Sequence, residues 1–598
     1  VARVWTDKNV HRGIPAMPSP TFDRRSLLRG AALAGGGLSL ASWFPAWAQP
    51  VSGGIVRPLP TVGGTDIALR IGHQMLMIDG RESHAVAVNG TVPAPLLRLK
   101  QGSTVRLSVT NDLDEDSSIH WHGLLVPFQF DGVPGVSFPG IRPKSTFVYE
   151  FPVIQSGTYW YHSHSGLQEA MGHYGPIVID PAGDDPIGSD REHVIVLSDH
   201  SPIHPHMIYR KLKLQPGYYN YQKQTLAGLL DGRDQTLKDR LDWGKMRMDP
   251  TDISDVTGST YTYVVNGHGP RDNWTALFRP GERLRLRFVN ASAMTIFNVR
   301  IPGLALTIVQ ADGQNIRPVT VDEFQISVAE TFDVIVTPAD DRAYAIVGEA
   351  VDRSGMARAT LAPREGMVAE VPALRARPVA TMKDMGMDMS GMAMGNTLDL
   401  SAPASAAPAA HEMSMKMRDP KNAPQVHLGP GVQTISPMPA DRTGEPGQGL
   451  EDVGHKVLVY RDLIALERNP DVRAPDRAME IHLTGNMERY MWSFDGQAFS
   501  EIKAPIPFLK DERVRITLVN DTMMSHPIHL HGHFFELVTG HGDHAPRKHT
   551  VNVLPGGMVT FDVTTDAVGD WAFHCHMMYH MHAGMMRIVS VRPRGDMA

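Results

Sequence analysis

The 598-residue sequence predicts an all-β chain of three β-sandwich domains, with one short helical insertion and a methionine-rich linker. Three observations predict it. One strand pattern occurs three times, a second landmark follows each copy in the same order, and Gly and Pro turns separate short strands throughout. The pattern runs from Gln101 to Asn111, from Pro280 to Asn290 and from Lys510 to Asn520. Each copy opens on a turn, alternates apolar with polar residues and ends in Asn, as a half-buried antiparallel strand does. Copies spaced this widely mean repetition of a whole domain, not a solenoid. Short strands between turns make each copy a sandwich.

The second landmark is a strand opening on Phe147, Phe332 or Phe561. In copies one and three a glycine follows, Gly157 or Gly569, and five residues later stands a His-x-His pair: His162 and His164, or His574 and His576. Copy two has Gly348 at that place. The first landmark behaves the same way. Nine residues past Asn111 and Asn520 stand His120 and His529, whereas nine past Asn290 stands Val299. Domains one and three therefore carry candidate ligands at equivalent positions, and domain two carries none.

In chain order, residues 1–48 read as an export signal. Arg24 and Arg25 form a twin-arginine pattern, followed by the apolar run Ala31 to Phe44 and the small-residue site Ala46-Trp47-Ala48. The run is short, Gly-rich and set before a cleavage site, so the expectation is a periplasmic protein exported by the twin-arginine pathway, with no stable membrane anchor. Met17 precedes Arg24 by seven residues, and residues 1–16 are expected to lie outside the natural translation start. Domain one spans 49–185 and domain two 186–375. The insertion, 205–250, carries Leu226, Leu229, Leu230, Leu237 and Leu241 at helical spacing, broken by Gly232. Residues 376–450 are the linker, too poor in apolar bulk to fold alone. It holds Met382, Met385, Met387, Met389, Met392 and Met394, then His411, Met413, Met415 and Met417. Domain three is 451–598.

Composition narrows the chemistry. A net charge of −7 argues against nucleic acid as a partner. With 28 His and 32 Met against one Cys, no disulfide can form within the chain, and Cys575 is better explained as a ligand. On a strand, His574 and His576 point one way and Cys575 the other, so one strand touches two metal centres. Cys575, His580 and Met585 are three of the four ligands of a trigonal blue-copper site with a long axial Met. His526, three residues before His529, completes it. Four His-x-His pairs, 120/122, 162/164, 529/531 and 574/576, supply eight imidazoles. These are too many for one metal and suit a cluster of three coppers. The pairs 204/206 and 580/582 lie outside the repeat and read as chance. Electrons entering at Cys575 would pass through His574 and His576 to the cluster, where four reduce dioxygen to water.

His120-Trp121-His122-Gly123, His162-Ser163-His164, the run from His526 to His531, and His574-Cys575-His576 with His580 and Met585 resemble the four copper motifs of multicopper oxidases. Asp131-Gly132-Val133-Pro134-Gly135, Asn273 to Gly281, the Met-rich linker and the twin-arginine signal are similar, more narrowly, to the periplasmic copper-resistance oxidases of the CopA type. The resemblance covers about residues 65–365 and 450–593, and implies three cupredoxin-like Greek-key domains and four copper ions. It implies type 1 copper on His526, Cys575, His580 and Met585, and type 2 copper on His120 and His529. The two type 3 coppers would take His122, His162, His164, His531, His574 and His576. Asp131 resembles the acidic residue that assists proton delivery; a turn-forming Asp-Gly is the alternative. Met581 and His582 stand where many relatives carry a carboxylate, which puts the usual proton relay in doubt.

The partners expected are dioxygen and either Cu(I) or a small aromatic reductant, with a monomer as the default. Thioethers prefer Cu(I), so Met524, just before His526, is expected to help dock cuprous ion, and the linker methionines to capture it. The competing readings are a copper-sequestering protein and a laccase-like phenol oxidase. An open pocket over His526 and His580 would mark the latter.

Overall fold

A computed structural model of the protein describes residues 54–387 and 416–595. The export signal and Met389, Met392, Met394, His411, Met413 and Met415 lie outside the described residues. Three sandwiches follow one another, each of two sheets: four and five strands, then six and five, then seven and five. The repeated strands are Thr104–Asn111, Leu284–Asn290 and Arg513–Asn520. Each runs parallel to a preceding long strand (Asp66–Ile78, Arg191–His200, Arg477–Asn486). Each is also antiparallel to the second-landmark strand (Ser145–Pro152, Thr331–Val336, Gly557–Thr564). Neighbours that are not consecutive in sequence give the crossovers of a Greek key.

The recurring Asn has a structural cause. Asn111, Asn290 and Asn520 are fully buried. Each donates from Nδ2 to two backbone carbonyls: Glu115 and Ile141, Thr295 and Ile326, Met524 and Val553. Each also accepts, at Oδ1, the backbone N–H two residues on. One side chain thus satisfies the polar backbone of the loop that leads to the ligand strand, which a buried loop otherwise leaves unpaired. Asp and Leu cannot substitute, since neither both donates and accepts.

Two regions depart from the sequence reading in detail. The insertion forms three short helices, Pro205–Leu214, Leu226–Leu230 and Leu237–Met246. The leucines that predicted them face water: Leu226, Leu230, Leu237 and Leu241 are 58–79% exposed. The burial falls on Ile208, Leu212 and Trp243 instead, and Thr225 and Thr236 cap the second and third helices through the N–H groups of Gly228 and Asp239. Helices of one to three turns are held by caps and a single anchor, so spacing located them without locating their buried face. The described part of the linker does not fold alone; it packs on domain three. Ala440–Asp441 adds a parallel strand to Gly557–Thr564. Ser436 N–H donates to Asp521 Oδ1 at 2.8 Å, and Arg442 binds Asp384 at 2.8 Å and the Pro555 carbonyl at 2.7 Å.

Candidate metal centres

The ligand strands pair alike in all three domains. Strand His120–His122 sets His120 opposite His162 on Gly157–His162. Strand His526–Leu530 sets His529 opposite His574 on Gly569–Cys575. In domain two the equivalent register sets Val299 opposite Gly348. The position exists three times and carries imidazoles twice.

The two histidine-bearing edges face each other across the interface of domains one and three. Donor atoms of His122, His162 and His576 lie within 4.8 Å of one another; so do those of His164, His531 and His574, and those of His120, His122 and His529. The ring nitrogens that point away are held by oxygens. His120 Nδ1 donates to the Asp131 carbonyl at 2.7 Å and His529 Nδ1 to the His549 carbonyl at 2.7 Å. His574 Nδ1 donates to the Cys575 carbonyl at 3.0 Å. His162 Nδ1 meets Glu169 Oε2 at 2.7 Å, and His531 Nδ1 meets Asp131 Oδ2 at 2.9 Å. Carbonyls and carboxylates accept, so these bonds set the tautomer. His122 is turned the other way, with Nε2 on Thr550 Oγ1 at 3.2 Å.

Apart from Nε2 of His531 and of His574, which meet at 3.0 Å, the inward nitrogens are largely unpaired. Nε2 of His120, His162, His164 and His529, Nδ1 of His122 and both ring nitrogens of His576 are buried without a hydrogen-bond partner. At about 1–3 kcal/mol per unsatisfied buried group, these would cost on the order of 10 kcal/mol, as much as a domain's whole net stability. Such a cluster persists in a fold that metal ions complete. Burial, reinforced by mutual repulsion, holds His122, His162, His164, His529, His531 and His576 well below the ordinary histidine value, and burial brings His574 to about 4. Neutral imidazole is the ligand form.

Asp131 sits under this cluster. It is 1% exposed, and its carboxylate lies 2.9 Å from His531 Nδ1 and 3.4 Å from His120 Nδ1. Gly132 follows at φ +88°, and a Cβ there would collide with the Ile119 carbonyl just before His120. The Asp-Gly turn therefore lies tight against the strand of His120 and aims the carboxylate at His531 and His120.

Cys575 faces the other way. Its Sγ is 3.5 Å from His526 Nδ1 and 3.8 Å from His580 Nδ1, and those nitrogens are 3.2 Å apart. The strand ends at Cys575, and the short helix Met578–Ala583 folds His580 back over it. Met585 closes the loop by accepting the Cys575 N–H at its carbonyl, 3.1 Å. His526, Cys575, His580 and Met585 are all 0% exposed. Burial pushes the Cys575 thiol up, so a cation held here would have to supply the pull that makes thiolate. Outer partners fix both imidazoles. His526 Nε2 meets Thr522 Oγ1 at 2.8 Å, and His580 Nε2 donates to Asp255 Oδ2 at 2.8 Å. Asp255 also accepts from Tyr490 OH at 2.7 Å, while Trp492 stacks on His580 at 4.0 Å.

Three stretches match models of multicopper oxidase domains: residues 71–184, 228–366 and 473–595. The chain is 47% identical to copper resistance protein A of Escherichia coli, over 95% of this chain and 99% of that protein. The chain belongs to the multicopper oxidase family. The oxidase is also 46% identical to a copper resistance protein A homolog of Pseudomonas syringae, over 96% and 100% of the two chains. In fold it is cupredoxin-like. It matches the crystal structure of a laccase from Botrytis aclada with a TM-score of 0.62, at 20% identity, over 89% of this chain and 88% of that one. Family members carry one type 1, one type 2 and two type 3 coppers, and the N- and S-donor sets described above fit that complement.

Several residues at the oxidase's centres were not visible in sequence. Asp255, Glu169, Thr550 and Trp492 hold candidate ligands from outside every copper motif, and no spacing rule connects them to the residues they touch. Two expectations about methionines need correction. Met524, expected to help dock cuprous ion, is 1% exposed and packs in the main core, whereas Met523 packs in a separate cluster. Met385 is not an exposed linker residue but is 3% exposed. It joins Met523, Met246, Met248, Met387, Met417 and Met487 around Trp243, a cluster of seven methionines from the insertion, the linker and domain three. Met382 stays outside that cluster, at 37% exposure. No described helix is long and apolar enough to cross a membrane.

Proposed function

We propose that the oxidase is a periplasmic copper-resistance enzyme, exported by the twin-arginine route, that oxidises cuprous ion and passes the electrons to dioxygen. One observation carries the choice of reductant. The imidazoles of His526 and His580 are both fully buried, and Asp255 covers the outer nitrogen of His580, which leaves no face for a phenol ring. The seven-methionine cluster reaches the same loop through Met523, three residues before His526, and offers the thioethers that favour Cu(I). The E. coli relative is named a copper resistance protein.

On this reading His526, Cys575, His580 and Met585 hold type 1 copper, and His120 and His529 hold type 2. Two type 3 ions fall to the triads His122, His162, His576 and His164, His531, His574. Four copper ions bound there would supply one-electron acceptance at the cysteine and four-electron reduction of dioxygen to water at the histidine cluster. The chain does the rest. His574 and His576 flank Cys575, so a few covalent bonds and the 3.0 Å contact from His574 Nδ1 to the Cys575 carbonyl join the two sites. Asp131 accepts from His531 Nδ1 and so orients that imidazole. Asp255, Tyr490 and Trp492 lock His580 and exclude water.

Met385→Leu with Met523→Leu tests the substrate reading. These swaps preserve volume and cost less than about 1.5 kcal/mol each. Dioxygen uptake driven by Cu(I) should fall on the order of tenfold, the scale for losing a contact that steers a metal, with phenol-driven uptake unchanged. Equal loss with both donors would sink the assignment.

A further inference from the structure

His204 and His206 fall outside both copper repeats, and nothing in the proposed reaction uses them. The structure brings them beside a second pair on domain one. Strand Asp66–Ile78 runs on past its partner Thr104–Asn111 and forms a hairpin with the edge strand Arg81–Val88. Alternation sets His73, Met75 and Met77 on one face, and all three are exposed. The register puts His84 directly across from Met75, and the His73 and His84 rings lie 4.7 Å apart. In the buried triad whose donors converge, His122 and His162 are 5.6 Å apart and His162 and His576 are 4.9 Å apart. The surface pair is as close as residues that share a centre inside.

The insertion approaches from the other side. His204 caps helix Pro205–Leu214, its ring stacks on His206 at 5.3 Å, and Met207 is 65% exposed. His200 Nε2 and Ser83 Oγ, 2.8 Å apart, clamp the hairpin to the root of this helix. Burial, then His206 and more weakly His84, hold His204 below the ordinary histidine value.

Exposure decides between packing and binding. Met75 is 50% exposed and Met77 64%, so neither thioether is explained by core filling, the usual work of methionine. An edge hairpin is ordinarily guarded by charged side chains; past Arg81 and Glu82, this one presents imidazole and thioether. Two imidazoles with a thioether suit a soft or borderline cation and are poor ligands for Mg²⁺ or Ca²⁺. We propose that His73, His84 and Met75 bind one cuprous ion on the surface of domain one, in addition to the four coppers of the oxidase, with Met77, His204 and His206 as flanking donors. The site does not depend on which reductant the enzyme prefers.

Ag(I), a soft monovalent cation that dioxygen does not oxidise, is the probe. The full copper-loaded chain and its His73→Ala, Met75→Ala, His84→Ala triple variant are dialysed against it and the bound silver is counted. The variant should bind one Ag(I) fewer per chain while keeping its copper content and thiolate absorption. A Met75→Leu variant, which preserves the strand, should bind that ion at least about tenfold more weakly, a loss of roughly 1.4 kcal/mol. Equal silver counts and affinities in the parent and both variants would overturn the proposal.

Discussion

Cys575→Ser is expected to abolish turnover. The holoprotein should lose its thiolate-to-copper absorption and retain three coppers of four, and dioxygen uptake with any donor should drop to the uncatalysed rate. The geometry makes the loss specific. Sγ is the only thiol in the chain and lies 3.5 Å from His526 Nδ1 and 3.8 Å from His580 Nδ1, while the contact of Cys575 with the histidine cluster is the backbone carbonyl that orients His574. Serine keeps that carbonyl and the strand register. Copper analysis with absorption spectroscopy checks the result. Substantial Cu(I)-driven turnover in the variant would mean that electrons reach the cluster without passing the Cys575 site.

Asp131→Ala is expected to act at the other end of the path. It leaves His531 Nδ1 without its acceptor in a fully buried site. Losing such an outer partner typically costs about 10–100-fold in metal affinity or activity. The backbone bond from His120 to the Asp131 carbonyl survives, and so does the turn at Gly132. In stopped flow, Cu(I) should bleach the thiolate absorption at the parent rate, and dioxygen should restore it about 10–100-fold more slowly. Asp131→Asn, which keeps an acceptor oxygen but not the charge, should fall between. A variant slowed in bleaching and normal in reoxidation would place Asp131 on the wrong centre.

The sites were legible because the chain repeats. Counting from Asn111, Asn290 and Asn520 located the equivalent strand positions, and the register shows why: each Asn ties down the loop ahead of the strand that pairs His120 with His162, Val299 with Gly348 and His529 with His574. Strand alternation correctly separated Cys575 from its neighbours. Less local features were not legible. Asp255 meets His580 across 325 positions and His531 meets Asp131 across 400, and no periodicity encodes such contacts. The methionines show a subtler limit. Sequence found them abundant near the cysteine site, but which of Met523 and Met524 faces the cluster depends on the local turn, and which linker methionines are buried depends on the docking of the linker against domain three.

The central claim is tested most directly by following dioxygen with Cu(I) as the sole donor to the copper-loaded enzyme, beside Cys575→Ser as the blank and a phenol at matched concentration. The account predicts uptake far above the blank with Cu(I), four Cu(I) consumed per dioxygen, no peroxide released and weak uptake with the phenol. Peroxide as the product, or strong phenol oxidation with Cu(I) uptake at the level of the blank, would contradict it.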